Sequence, residues 1–121
     1  MTALGDDGDE GLRARSRLVD ERLAAPELVD LEVASAFRKL CAAKKFNAQR
    51  ASQALSDLHD LRIGRVPHRD LIGRCWELRN NVTIYDASYI AVAELFGATL
   101  ITADVRLAKV PGAKCKVELL T

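Results

Sequence analysis

Residues 84–107, IYDASYIAVAELFGATLITADVRL, constrain the fold most: an almost unbroken apolar run with Asp86 near its start and Asp104 near its end. A run this apolar has to be buried. Gly97 divides it, because a glycine in that position ends a helix readily. Before it, Ala87, Ile90, Ala91 and Leu95 recur at helical spacing from Asp86 onward, and their small side chains allow close packing. After it, Ala98 to Thr102 reads as a short, β-branched strand. Asp86 therefore opens a helix and Asp104 lies two residues beyond a strand. In an open parallel sheet, loops and helix N-termini gather at the carboxyl ends of the strands, so both acids are expected on one rim.

The remaining sequence supplies partners for that unit. The opening MTALGDDGDEG is polar and Gly-rich, and GLRARSRLVDERL follows with Leu12, Leu18 or Val19, and Leu23 on one face of an expected helix. Leu23 to Ala25 suggest a short strand ending near Pro26, with the proline in the first turn of the next helix. From about Glu27 to Lys45, Val29, Val33, Ala36, Phe37, Leu40 and Cys41 form a helical stripe, and Lys44 and Lys45 suit its C-terminal dipole. Asn47 is an N-cap candidate for a helix from Ala48 to about Leu58, with Ala51, Ala54, Leu55 and Leu58 on its apolar face. Leu61 to Val66 reads as a strand ended by Pro67-His68. Leu71, Ile72, Cys75, Trp76 and Leu78 then mark another helix, broken at Asn80-Asn81, and Lys116 to Leu120 form a last strand. Short strands alternating with helices, without hairpin signals, indicate an α/β/α sandwich around a short parallel sheet.

At 121 residues and 49% hydrophobic, the chain has the size of a single domain (1–121) with a core that needs no metal or disulfide staple. Its 18 Lys+Arg against 17 Asp+Glu remove any case for nucleic-acid binding from overall charge, so a role on RNA or DNA has to come from a local site. Cys41, Cys75 and Cys115 are odd in number, far apart and without a CxxC pair, which fits buried free thiols in a reducing compartment. No apolar run reaches the ~18 residues of a membrane span, and the start is acidic where a signal peptide is basic. A cytoplasmic protein without a membrane role is expected.

A third acid, Glu32, lies one turn into the Glu27–Lys45 helix among Leu28, Leu31, Val33 and Ala36. Helical pitch places it beside the sheet-facing stripe. Each acid has a plain structural role available. Asp86 suits a helix N-terminus, Asp104 can cap a turn or pair with Arg106, and Glu32 can border an amphipathic face. Together, three carboxylates at one end of one sheet repel each other unless a cation is shared among them. Oxygen donors without His or Cys select hard ions such as Mg2+ or Mn2+, which grip phosphates, so phosphodiester hydrolysis is the chemistry expected. Thr102, at the same strand end, offers a hydroxyl to a water or phosphate oxygen, or is a plain strand residue. Arg79, Arg106, Lys109 and Lys114 are candidate phosphate contacts or solvated charges. A nucleotide-binding α/β domain is the weakest alternative, since neither GxGxxG nor GxxxxGK occurs.

PELVDLEVASAFRKL, WELRNNVTIYDA and YDASYIAVAELFGATLITADVRLA resemble the motif regions of PIN-domain ribonucleases, specifically the VapC toxins of bacterial VapBC toxin–antitoxin systems, most like actinobacterial ones. YDAxYIAxAE followed by LxTxDxRL carries more information than any single acid, and the likeness runs through essentially the whole chain. The resemblance implies a PIN-like α/β/α sandwich and a Mg2+- or Mn2+-dependent endoribonuclease, usually a homodimer. It would cut tRNA, rRNA or mRNA and be inhibited by a cognate VapB antitoxin. It assigns Glu32, Asp86 and Asp104 as catalytic metal ligands and Thr102 as the neighbouring hydroxyl.

The opening departs from the family pattern, in which a short apolar strand ends in an aspartate, as in VVDASALV. With MTALGDDGDEG in its place, the first central strand and its aspartate are expected to be missing, leaving three of four carboxylates. Asp6, Asp7, Asp9 and Glu10 read as solvated acids at a helix start. Either a start assigned too late or a shortened chain that depends on a partner strand accounts for this. Under the second, the alternative function is a weak or inactive toxin that serves as an antitoxin-binding module.

Overall fold

A computed structural model describes residues 23–120. The strand β1 (Leu23–Pro26) leads into α1 (Leu28–Ala42) and α2 (Ala48–Asp60). Next come β2 (Ile63–Val66), a 3-10 turn (His68–Asp70), α3 (Ile72–Glu77) and α4 (Ile84–Phe96). The chain closes with β3 (Leu100–Thr102), a second 3-10 turn (Val105–Lys109) and β4 (Val117–Leu119). The acidic opening, the expected first helix and the slot of the expected missing strand lie outside the described residues. The chain forms two compact units, one including residues 29–63 and the other residues 24–28 and 64–120.

In the first unit α1 buries Val29, Val33 and Phe37, a strict i, i+4, i+8 stripe. Ala36 is exposed and Leu40 and Cys41 are half-buried, so the apolar face is narrower than the sequence spacing suggests. The helix ends at Ala42, three residues before Lys45, because Lys44 adopts φ 57 and the chain turns there. Lys44 N–H donates to the Cys41 carbonyl (3.0 Å) and Lys45 N–H to that of Leu40 (2.9 Å), the bond pattern of a left-handed helix end usually occupied by glycine. Asn47 caps α2, its side chain accepting from Arg50 N–H at 2.7 Å. The Phe37 and Phe46 rings meet at 5.6 Å, and Arg50 lies over Phe46.

The second unit is built around α4. Thr83, not Asp86, is its N-cap, with Thr83 Oγ1 accepting from Asp86 N–H at 3.1 Å, so the helix starts two residues earlier than its apolar spacing suggests. Gly97 ends it at φ 59, as expected. Ala87, Ile90, Ala91, Val92 and Ala93 are buried with Val66, Leu71, Cys75, Leu78, Leu100 and Leu107 in one core. Each fully buried Ile or Leu among them stabilises by about 1.5–3 kcal/mol. Ile72 and Trp76 depart from expectation and are largely exposed, because the six-residue α3 and its flanking caps turn only Leu71, Cys75 and Leu78 inward; Leu95, near the end of α4, is also exposed. Cys75 is buried, whereas Cys41 and Cys115 are half-buried; all three are free thiols.

β3 and β4 pair in parallel, with Leu100 opposite Val117 and Thr102 opposite Leu119, the sense that needs the crossover connection between them. β1 pairs with β2, and Glu27 N–H extends that contact to the Val66 carbonyl at 3.1 Å. Among the described residues the strands thus make two separate pairs, not one continuous sheet. Short strands with helices between them and parallel pairing give the α/β organisation expected. No described helix is long and apolar enough to cross a membrane.

One ion pair braces this unit. Arg74 on α3 donates from Nε to Glu94 Oε1 (2.6 Å) and from Nη2 to Glu94 Oε2 (3.0 Å) and the Gly112 carbonyl (2.6 Å). Glu94 Oε2 also accepts from Lys114 N–H at 2.6 Å, so one carboxylate pins the approach to β4 onto α4. The guanidinium beside Glu94 holds its carboxyl below the usual range, against the opposing effect of burial.

Glu94→Gln should cost about 1–3 kcal/mol in urea unfolding at pH 7. Because the folded pKa lies below the ordinary 4.5, that contribution is complete above pH 4.5. It fades as pH falls through the lowered folded value, so wild type and variant should converge in acid. Lys44→Gly should raise stability by about 0.5–1 kcal/mol in the same assay by removing the Cβ strain of the left-handed turn.

Candidate active site

β3 ends in Thr102, and the chain then turns through Ala103 to Asp104 before the second 3-10 turn. Thr102 is buried, and its Oγ1 accepts the Asp104 N–H at 3.0 Å. The hydroxyl thus holds the backbone of the neighbouring acid. Asp104 caps the 3-10 turn, with Oδ1 accepting from Arg106 N–H at 2.9 Å. It also grips the Arg106 side chain: Nε lies 3.0 Å from Oδ1, and Nη2 lies 2.7 Å from Oδ2. Both plain roles that the sequence allowed for this acid, turn cap and partner of Arg106, are realised at once.

The electrostatics follow from that geometry. The Arg106 guanidinium, then its backbone N–H, hold the Asp104 carboxyl down to about 2, so it is a carboxylate at any physiological pH. Arg106 is raised in turn, first by Asp104 and also by the charge of Asp86. Asp86 lies in the first turn of α4, half-buried at the end where backbone N–H groups favour an anion. Asp86 and Asp104 thus both lie in the second unit, one in the first turn of α4 and the other just beyond β3.

Glu32 lies one turn into α1, half-buried beside Val29 and Val33 in sequence, and belongs to the other unit. Among the described residues of either unit, no group of three or more His, Cys, Asp or Glu side chains is gathered to hold a metal ion. Asp104 offers the oxygen chemistry a hard cation takes: its carboxylate already holds a guanidinium, and magnesium takes one or two carboxylates while keeping water as its other ligands.

The other basic candidates divide. Arg79 stacks on the exposed Trp76 ring at 4.4 Å and donates to the Trp76 carbonyl at 2.8 Å. Lys114 contributes its backbone N–H to Glu94, and Lys109 sits at the end of the second 3-10 turn. Glu94 escaped notice as an isolated acid because it lies in the same apolar run as Asp86. Its signal was there: a charge on an otherwise buried helix calls for a partner, and Arg74 is that partner.

The chain matches the PIN domain over residues 2–113. It is 38% identical over 120 residues to a VapC ribonuclease of Mycobacterium bovis and to ribonuclease VapC9 of Mycobacterium tuberculosis, covering 99% of this chain and 91% of each relative. Ribonuclease VapC1 of M. tuberculosis is likewise 38% identical, over 121 residues, with the same coverage. A domain match over nearly the whole sequence and relatives this similar lead to one conclusion: the chain belongs to the PIN-domain family, within its VapC ribonuclease branch.

Proposed function

We propose that this protein is a VapC-type toxin: a magnesium- or manganese-dependent endoribonuclease that cleaves RNA phosphodiester bonds and is neutralised by a cognate VapB antitoxin. It would work in the cytoplasm as a homodimer on tRNA, rRNA or mRNA. The observation that carries this reading is Asp104, held beyond β3 by Thr102 and already gripping the Arg106 guanidinium, in a PIN domain whose α4 carries Asp86 in its first turn. Relatives named ribonucleases at 38% identity support the same chemistry.

In this reading Asp86 and Asp104 supply carboxylate oxygens to a divalent cation, and Glu32 is the third acid by family resemblance. Bound there, such a cation supplies positive charge against the phosphate and lowers the pKa of water. Thr102 acts one step away, fixing the Asp104 backbone and with it the direction of its carboxylate. Asp104 needs no general-base tuning, since it is already ionised.

Cleavage of a fluorogenic RNA by the full chain should require Mg2+ or Mn2+, stop in EDTA, and fall by roughly 10²-fold or more in Asp86→Asn, with Glu32→Gln and Asp104→Asn behaving alike. Cleavage that persists in EDTA or in Asp86→Asn would sink the reading. Retention of a small VapB-like protein with no cleavage at high Mn2+ would identify an antitoxin-binding module instead. Thr102→Val should lower the rate about tenfold and stability by about 1–2 kcal/mol, while Thr102→Ser keeps both near wild type.

A further inference from the structure

Arg106 and Arg74 make the same kind of contact in different settings. Arg74 is three-quarters buried and reaches Glu94, Glu77 and the Gly112 carbonyl, so moving it would strand several groups. Arg106 is 82% exposed in its side chain, and its fork rests on the two oxygens of Asp104. An exposed ion pair is weak, so exchanging it for another partner costs little. Moreover, the oxygens that Arg106 occupies are those a cation at Asp104 would use.

We propose that Arg106 is an exchangeable counter-ion, held on Asp104 while no divalent cation is bound and released onto a substrate phosphate when a cation takes those oxygens. This rests on the nuclease reading above. The guanidinium fork takes lone pairs on both Asp104 oxygens that a divalent ion would compete for, and the two positive charges repel. Arg106 sits in a 3-10 turn, and its own backbone N–H is tied to Asp104 Oδ1, so the backbone stays while the long side chain swings. A guanidinium freed at the rim is a bidentate phosphate donor, stronger in that role than a lysine. Cation and RNA binding are then coupled: each makes the other more favourable.

Mn2+ binding to the full chain, followed by electron paramagnetic resonance, and binding of a 2′-O-methyl RNA oligonucleotide, which resists cleavage, test this directly. Arg106→Gln should bind Mn2+ about threefold to fivefold tighter than wild type, the scale of one exposed ion pair. Mn2+ should raise oligonucleotide affinity several-fold in wild type but much less in Arg106→Gln. Arg106→Lys, which keeps the charge and loses the fork, should fall between them in both assays. Thermal unfolding within a few degrees of wild type is expected for an exposed side chain and shows that the variants fold. Equal Mn2+ affinity in wild type and Arg106→Gln would overturn the exchange and leave the nuclease reading standing. No Mn2+ binding by either would overturn that reading and the exchange with it.

Discussion

Burial of α4 is the constraint on which the second unit depends. The helix turns Ala87, Ile90, Ala91, Val92 and Ala93 inward, and small residues let α3 and β3 approach its backbone closely. Such a helix has little freedom in where it begins and ends. Thr83 closes one end through the Asp86 N–H and Gly97 closes the other in the left-handed conformation. Asp86 is thereby fixed in the first turn, and β3, following Gly97, delivers Asp104 beyond Thr102. The positions of the two acids are consequences of packing an apolar segment.

Two arginine–carboxylate pairs show how environment separates structure from chemistry. Arg74 and Glu94 lie mostly out of water and are surrounded by further donors and acceptors, so the pair acts as a clasp between α3, α4 and the segment before β4. Breaking it leaves groups that solvent does not easily satisfy. Arg106 and Asp104 make a similar fork with the guanidinium in the open, where water competes for it, while Asp104 is half-buried. An acid stabilised by an exposed, weakly held cation is suited to trading that cation for another. The clasp resists change, and the rim pair accommodates it.

Long periodic elements were legible in the sequence, and boundaries were less so. The α2 cap at Asn47, the α4 stop at Gly97 and the parallel β3–β4 pairing follow the local signals. α1 ends before Lys45 because Lys44 turns left-handed, a conformation that residue type does not advertise. Ile72, Trp76 and Leu95 read as core by spacing yet face outward, since spacing says which residues share a face and not how wide a face the neighbours cover. Asp104 was legible as an acid past a strand, but the choice among cap, ion pair and metal ligand was not.

The order of elements, the caps, the apolar segments and the placing of Asp86 at a helix start and Asp104 past a strand end were determined by sequence alone, because they depend on side chains within a few residues of one another. The tertiary structure decided which charges meet. It paired Glu94 with Arg74 across 20 positions and set the Lys114 N–H on the same carboxylate. Contacts between distant positions depend on how whole elements pack, and packing is settled by the summed burial of many apolar groups, not by any local pattern.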